Sequence, residues 1–288
     1  MHYEKKSVAL GMLGILAFSL TLPMTHIALY ELSPVFISFG RAIIAAILAS
    51  FALLVTKAKI PTINQFKMLA TAALGVVVGF PFFSAVALMS VPVSHGGVVA
   101  GILPLCTAFF GVILAHEKLK MRFWISSLVG SAAILWLTMS DKSLVLGDTF
   151  LLAAVISAGY GYAQGAIVSK ELGSWQSISW MLVISAPVLI FPTIYTMPSD
   201  ISELHFATIG SFLYLGSISM YLGFFFWYKA LSIGGIARIG QFQLLQPFMT
   251  LFFAWILLKE SVQVNEIFTA IVVVISVFFG RKNKKEIL

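Results

Sequence analysis

Three glutamines, Gln241, Gln243 and Gln246, stand within one apolar stretch and are followed by Thr250. Gln243, Gln246 and Thr250 are spaced i, i+3 and i+7, so a helix presents them on one face. An amide both donates and accepts hydrogen bonds, which suits a zwitterionic or amide-bearing solute and suits an interhelical seam equally well. Ser19, Pro23, His26 and Tyr30 recur at one-turn spacings, as do Ser157, Tyr160 and Gln164, with Tyr162 beside them. Both sets read as cavity lining. His26 changes charge near neutral pH and so offers a solute contact or a proton-coupling group; contact with water or a backbone carbonyl is the plainer alternative. Phe82, Phe83, Phe224, Phe225, Phe226, Tyr221 and Trp227 are candidates for an aromatic pocket wall, or for packing and interface anchoring. The substrate-contact set is therefore Gln243, Gln246, Thr250, Tyr160, Gln164, His26, Phe82, Phe83 and Trp227.

Arg41 is the one charge well inside an apolar run, at a cost of about 3 kcal/mol on the insertion scale. It needs a partner or water, and Glu31 in the adjoining loop is the expected ion-pair partner, with a water-filled vestibule as the alternative. A structural or gating role is expected for it. Pro104 and Pro247 each free a backbone carbonyl one turn earlier, available to a hinge or a ligand; with Pro23 and Arg41 they form the expected gating set. Other chemistries lack their residues. There is no phosphate-binding Gly-x-x-x-x-Gly-Lys-[Ser/Thr], no Gly-x-Ser-x-Gly, and no second histidine to accompany His116-Glu117 in a zinc-hydrolase helix. Cys106 is a lone cysteine, which excludes an internal disulfide and a multi-cysteine metal site. No Asp or Glu falls near the middle of an apolar run, which argues against a carboxylate proton relay. Neither catalysis nor a metal or other cofactor is expected.

These residues must be positioned by membrane helices. Hydrophobic residues make up 60% and charged residues 10% of the 288, against about 25% charged in soluble domains. A spanning helix needs roughly 20 apolar residues. Ten such runs follow, near Val8–Tyr30, Pro34–Val55, Phe66–Ser90, Gly96–Ala115, Phe123–Met139, Thr149–Val168, Ser177–Met197, Phe206–Ala230, Ile236–Leu258 and Val264–Gly280. The first is too long for a cleaved signal segment and reads as a retained helix. Unbroken apolar runs exclude a barrel, whose strands alternate in polarity. With the amino terminus in the cytoplasm, all but Arg41, Lys142 and Lys259 of the 18 Lys and Arg fall on the cytoplasmic side, so both termini are expected there. The net charge of +7 is spread over these short caps rather than a soluble face, which excludes nucleic acid as a partner and leaves the lipid bilayer. The oligomeric state is open, and a monomer is compatible.

The chain repeats itself. Pro104 and Pro247 are 143 positions apart, and at that spacing Phe82, Gly97, Thr107, Phe109, Ile113 and Glu117 meet identical residues at Phe225, Gly240, Thr250, Phe252, Ile256 and Glu260. Residues 1–142 and 143–288 are the expected repeats. Five spans per repeat is an odd number, so the second copy must enter the membrane inverted, an architecture recurrent in secondary transporters. Glu117 and Glu260 end matching helices at opposite faces and are expected to anchor helix ends or loops. Gly97, Gly101, Pro104, Ala108, Gly111 and Ala115 form a small-residue stripe suited to close helix packing. The copies part company where Val98, Ala100 and Leu103 face Gln241, Gln243 and Gln246.

The doubled pattern, His116-Glu117 and Lys259-Glu260 closing apolar runs, the Pro104 and Pro247 helices, Arg41 in the second span, and Gly234-Gly235-Ile236-Ala237-Arg238-Ile239-Gly240-Gln241 resemble the EamA-type branch of the drug/metabolite transporter superfamily. The resemblance covers nearly the whole chain. It implies an all-α polytopic membrane protein, with ten transmembrane helices as two inverted five-helix repeats around a central cavity. Helices one, three, four, six, eight and nine would wall that cavity, with five and ten peripheral. It further implies a secondary transporter of the bacterial cytoplasmic (inner) membrane, exporting small metabolites such as amino acids or aromatic compounds by alternating access. Import or exchange is the runner-up. A membrane-embedded enzyme or an assembly scaffold is the reading from another class.

Overall fold

Long apolar runs with short polar connections leave the backbone one way to satisfy itself in lipid, by hydrogen bonding within helices. The computed structural model describes residues 2–140, 146–261 and 263–280, and all its regular elements are helical. Among the described residues, eight helices are long and apolar enough to cross a membrane: α1 (Lys5–Ala28), α2 (Pro34–Val55), α3 (Ile63–Ala87), α4 (Val93–Ala115), α6 (Leu146–Leu172), α7 (Ser174–Tyr195), α8 (Phe206–Gly234) and α9 (Ile236–Leu258). Two more, α5 (Met121–Ser140) and α10 (Val264–Gly280), pack against each other. The chain is a multi-pass membrane protein. Asp141, Lys142, the repeat boundary at 142/143 and the basic cluster from Arg281 lie outside the described residues.

Caps set several helix starts. α3 begins at Ile63 rather than near Phe66 because Thr62 and Gln65 form a reciprocal capping box. α2 opens with Ser33 accepting from the Phe36 N–H, and Pro34 occupies the first turn, where no amide is needed. Gly173, at φ 95°, is the whole connection between α6 and α7, a backbone shape that side chains rarely adopt.

The inner helices are irregular at matched places. α3 widens into a π turn over Leu74–Gly79, and α8 does so over Leu215–Leu222. α4 tightens to a 3-10 turn over Ala100–Ile102 just before Pro104, and α9 does so over Gln241–Leu245 just before Pro247. A proline cannot donate to the carbonyl four residues back, so the regular ladder breaks there.

α2 packs on α7, α1 on α8, and α3 and α4 on α6. Glycine sets the closest approaches. A Cβ at Gly75 would lie 2.4 Å from the Ser157 carbonyl oxygen, so α3 and α6 meet backbone to backbone. Gly97 of α4 abuts Thr250 of α9, while Gly240 of α9 faces Thr107 of α4, a reciprocal pair of contacts. Trp227 and Tyr228 are fully buried at the centre, while Phe51, Val188, Phe191 and Tyr195 are exposed on the perimeter, where lipid would cover them.

Candidate functional site

A tight cleft with room for about one water molecule lies at the meeting of these irregular turns. The first half contributes Phe18, Thr21, Arg41, Val76 and Phe80 to its wall. The second contributes Ala158, Tyr162, Ser219, Phe224 and Gln246. The π turns of α3 and α8 carry Val76 and Ser219, and Gln246 directly follows the 3-10 turn of α9. Widened turns shift side-chain register, and they recur at functional sites.

The polar groups form two hydrogen-bonded sets. The Thr21 and Ser219 hydroxyls are 2.7 Å apart, and Arg41 Nη2 donates to Ser219 Oγ at 3.0 Å. Gln243 Nε2 donates to Gln246 Oε1 at 3.4 Å, while Gln243 Oε1 is buried with no protein partner. Phe18, Phe224 and Tyr162 surround them with apolar ring surface, Phe18 and Phe224 having centroids 5.0 Å apart. The cavity thus joins an aromatic wall to a cationic and hydroxyl-bearing one.

Of the residues singled out from the sequence, Arg41 and Gln246 line this cavity and Gln243 stands behind Gln246. Thr250 is committed elsewhere, donating to the Ser19 carbonyl at 3.1 Å. That carbonyl is free because Pro23, four residues on, has no N–H to give it. The link ties α9 to α1. The carbonyls expected to be freed by Pro104 and Pro247 are occupied: Leu103 N–H donates to the Ala100 oxygen and Gln246 N–H to the Gln243 oxygen. The 3-10 turns recover both bonds.

Trp227 is fully buried one layer behind the wall, against Phe18 and Tyr162, with its indole nitrogen unpartnered. Tyr160 packs edge-on to Phe110 at 5.4 Å, and Tyr162 is the tyrosine that lines the cavity. Two positions apart on a helix is roughly half a turn, so one faces in when the other faces away. Phe82 stacks on Phe39 and Phe83 on Phe150, both apart from the cavity wall, where Phe80 stands instead. Gln164 is half-buried and outside the lining. His26 is also outside it, its ring centroid 5.4 Å from that of Tyr30 in an edge-on contact and its Nδ1 buried without a partner among the described residues.

Arg41 does not pair with Glu31. Glu31 accepts from the His205 backbone N–H and meets His205 Nδ1 at 2.6 Å, and the Thr208 hydroxyl donates to it. The Thr208 hydrogen bond, then that of His205, holds its carboxyl below the usual carboxylate range. It serves the start of α8, while Arg41 points into the interior.

Glu117 and Glu260 make matching contacts. Glu117 accepts from Ile236 N–H at 2.8 Å and Ala237 N–H at 2.9 Å, at the start of α9. Glu260 accepts from Val93 N–H at 3.0 Å and Ser94 N–H at 2.8 Å, at the start of α4. A carboxylate at a helix start meets unsatisfied amides and the positive end of the dipole. Both glutamates follow a residue in the left-handed region, His116 at φ 53° and Lys259 at φ 57°, which turns the chain sharply toward the other helix.

Sequence reasoning missed Phe18, Thr21, Phe80 and Ser219. For Ser219 a signal existed: it stands 143 positions after Val76, one more polar side chain in the second copy opposite an apolar one in the first.

The EamA-like transporter family matches this chain twice, over residues 5–139 and 145–280. A protein of Bacillus subtilis (strain 168), named as the uncharacterized transporter YdeK, is 39% identical, with 96% of each chain covered. The uncharacterized transporter YoaV of the same strain is 21% identical, covering 93% of this chain and 96% of its own. A solved crystal structure superposes with a TM-score of 0.72 at 16% identity, over 95% of this chain and 97% of the other. That last likeness is one of fold.

Proposed function

We propose, from the premise that this chain belongs to the EamA-like transporter family, that it is a secondary carrier exporting small metabolites, with amino acids or aromatic compounds first, by alternating access. The observation that carries this reading is the cavity wall, which draws five residues from each half of the chain. Movement of one half against the other would necessarily reshape it. Gln246 is assigned to solute contact, with Gln243 behind it, and the Pro104 and Pro247 turns to the flexing of α4 and α9.

Two features support an inverted relation between halves 1–142 and 143–288. Glu117, beyond the end of α4, reaches the start of α9, and Glu260, beyond the end of α9, reaches the start of α4, so the two helices run antiparallel. α2 pairs with α7 and α5 with α10, each helix with its own counterpart, as expected for helices beside a two-fold axis. On this reading α5 and α10 complete a ten-helix bundle, and the Lys and Arg distribution puts both termini in the cytoplasm.

Reconstitution into liposomes tests the reading. Protein-dependent movement of at least one member of a panel of amino acids and aromatic metabolites is expected, and no movement across the panel would count against it. Metabolite profiling of cells with and without the protein then fixes direction, with solute gained outside the cell expected for an exporter.

A further inference from the structure

Arg41 is the side chain whose charge this fold leaves unanswered. It is 3% exposed and lies in the cavity wall. Nη2 donates to the neutral Ser219 hydroxyl at 3.0 Å, and Nε is buried with no protein partner. Among the described residues no carboxylate pairs with it. The buried carboxylates among the described residues are engaged elsewhere, Asp148 with His95 at 2.8 Å and Glu266 with the Gln263 N–H at 2.8 Å, while Glu117 and Glu260 hold helix starts. A guanidinium remains protonated in proteins, so a full positive charge faces this cavity with only neutral neighbours. A buried cation without a counter-charge is far costlier than one hydroxyl contact can offset. None of the helices packed on α2 supplies a counter-charge, because α7, α3 and α8 carry no Asp or Glu over Ser174–Tyr195, Ile63–Ala87 and Phe206–Gly234.

We infer that Arg41 binds a carboxylate of the transported solute, so that the cavity takes organic monoanions joining a carboxylate to an aromatic or similarly planar apolar body. The assignment rests on the carrier reading given above. The guanidinium fork matches a carboxylate in two parallel hydrogen bonds, and the hydrogen-bonded Thr21–Ser219 hydroxyl pair beside it has one further proton to donate. Phe18, Phe80 and Phe224 provide ring surface for the apolar body. The wall holds no acidic side chain to receive an ammonium group, so it favours the monoanion over the zwitterion built on the same skeleton.

The test uses phenylacetate, phenylalanine and phenylacetamide, which share a ring and differ in charge. Binding to the full-length protein in detergent is read by tryptophan fluorescence, Trp227 lying just behind the wall, and flux is read in liposomes. Phenylacetate is expected to bind and move at least tenfold better than phenylacetamide, with phenylalanine between them. Arg41→Gln should bring phenylacetate down to the level of the amide while changing the amide less than twofold. Arg41→Lys keeps the charge without the fork and should retain part of the preference, which covers the case of a poorly folded glutamine variant. Equal handling of phenylacetate and phenylacetamide by the unmodified chain, or an equal loss of both in Arg41→Gln, would overturn the inference. Displacement of phenylacetate by equimolar chloride would also overturn it, by making this a site for small inorganic anions. Arg41-dependent phenylacetate binding without flux of any solute would instead defeat the carrier reading and leave the site standing. Flux of phenylacetate that is indifferent to Arg41→Gln would do the reverse.

Discussion

At the scale of single residues, Gln246 and Arg41 face the same cavity from opposite halves of the chain. Gln246→Leu restores the apolar choice of the first copy, Leu103, and should lower transport at least tenfold, about 1.4 kcal/mol. The amount of folded, monodisperse protein should stay within twofold, and unchanged transport would remove Gln246 from the solute path. Glu31 predicts a pH effect with a definite sign. Its folded carboxyl is held below the ordinary value of 4.5, so its contribution to stability is complete above that value and is lost as pH falls through the lower folded value. Glu31→Gln should flatten that part of the acid limb in a plot of melting temperature against pH, and an unaltered limb would show that the Thr208 and His205 contacts contribute little. Gln246 was legible in the sequence because the repeat supplied its own control, an apolar residue at the matching place. Arg41 was legible as a charge, but its surroundings were not: the Ser219 hydroxyl it meets is 178 residues away, beyond the reach of helical periodicity.

At the scale of elements, the paired helices α4 and α9 are joined at both ends by glutamates that exchange helix starts. Each clamp belongs to one end of the pair, so breaking them separately should bias the carrier in opposite directions. Glu117→Ala and Glu260→Ala, made in a Cys106→Ala background, should shift the labelling of single cysteines near the two cavity ends with opposite sign. Shifts of the same sign would reduce both glutamates to ordinary stabilising caps. The helices themselves were legible in apolar run lengths, and the breaks at Pro104 and Pro247 in the missing amides. The π turns of α3 and α8 were not, because no residue type dictates them; they arise where close packing, as at Gly75 against α6, sets the backbone register. The Thr250 link to Ser19 was hidden for a related reason. Each half of it, a hydroxyl and a proline-freed carbonyl, is visible alone, and only the fold brings them together.

At the scale of the whole molecule, a cleft shared equally between two halves is the feature on which the proposed carrier function rests. On the proposed reading, an inverted pair of five-helix units has both termini on one side, and the distribution of basic residues leads us to expect that side to be the cytoplasm. Reporter tags at each end should both be protected from external protease in intact cells; exposure of one alone would break the ten-span count. The measurement that bears most directly on the account is solute flux in liposomes containing the unmodified chain or Gln246→Leu, compared at equal protein content. Protein-dependent movement of a small aromatic or amino-acid solute, reduced at least tenfold by Gln246→Leu, is the predicted result. Absence of movement for every solute, or movement indifferent to that substitution, would contradict the claim that the cavity between the halves is the transport path.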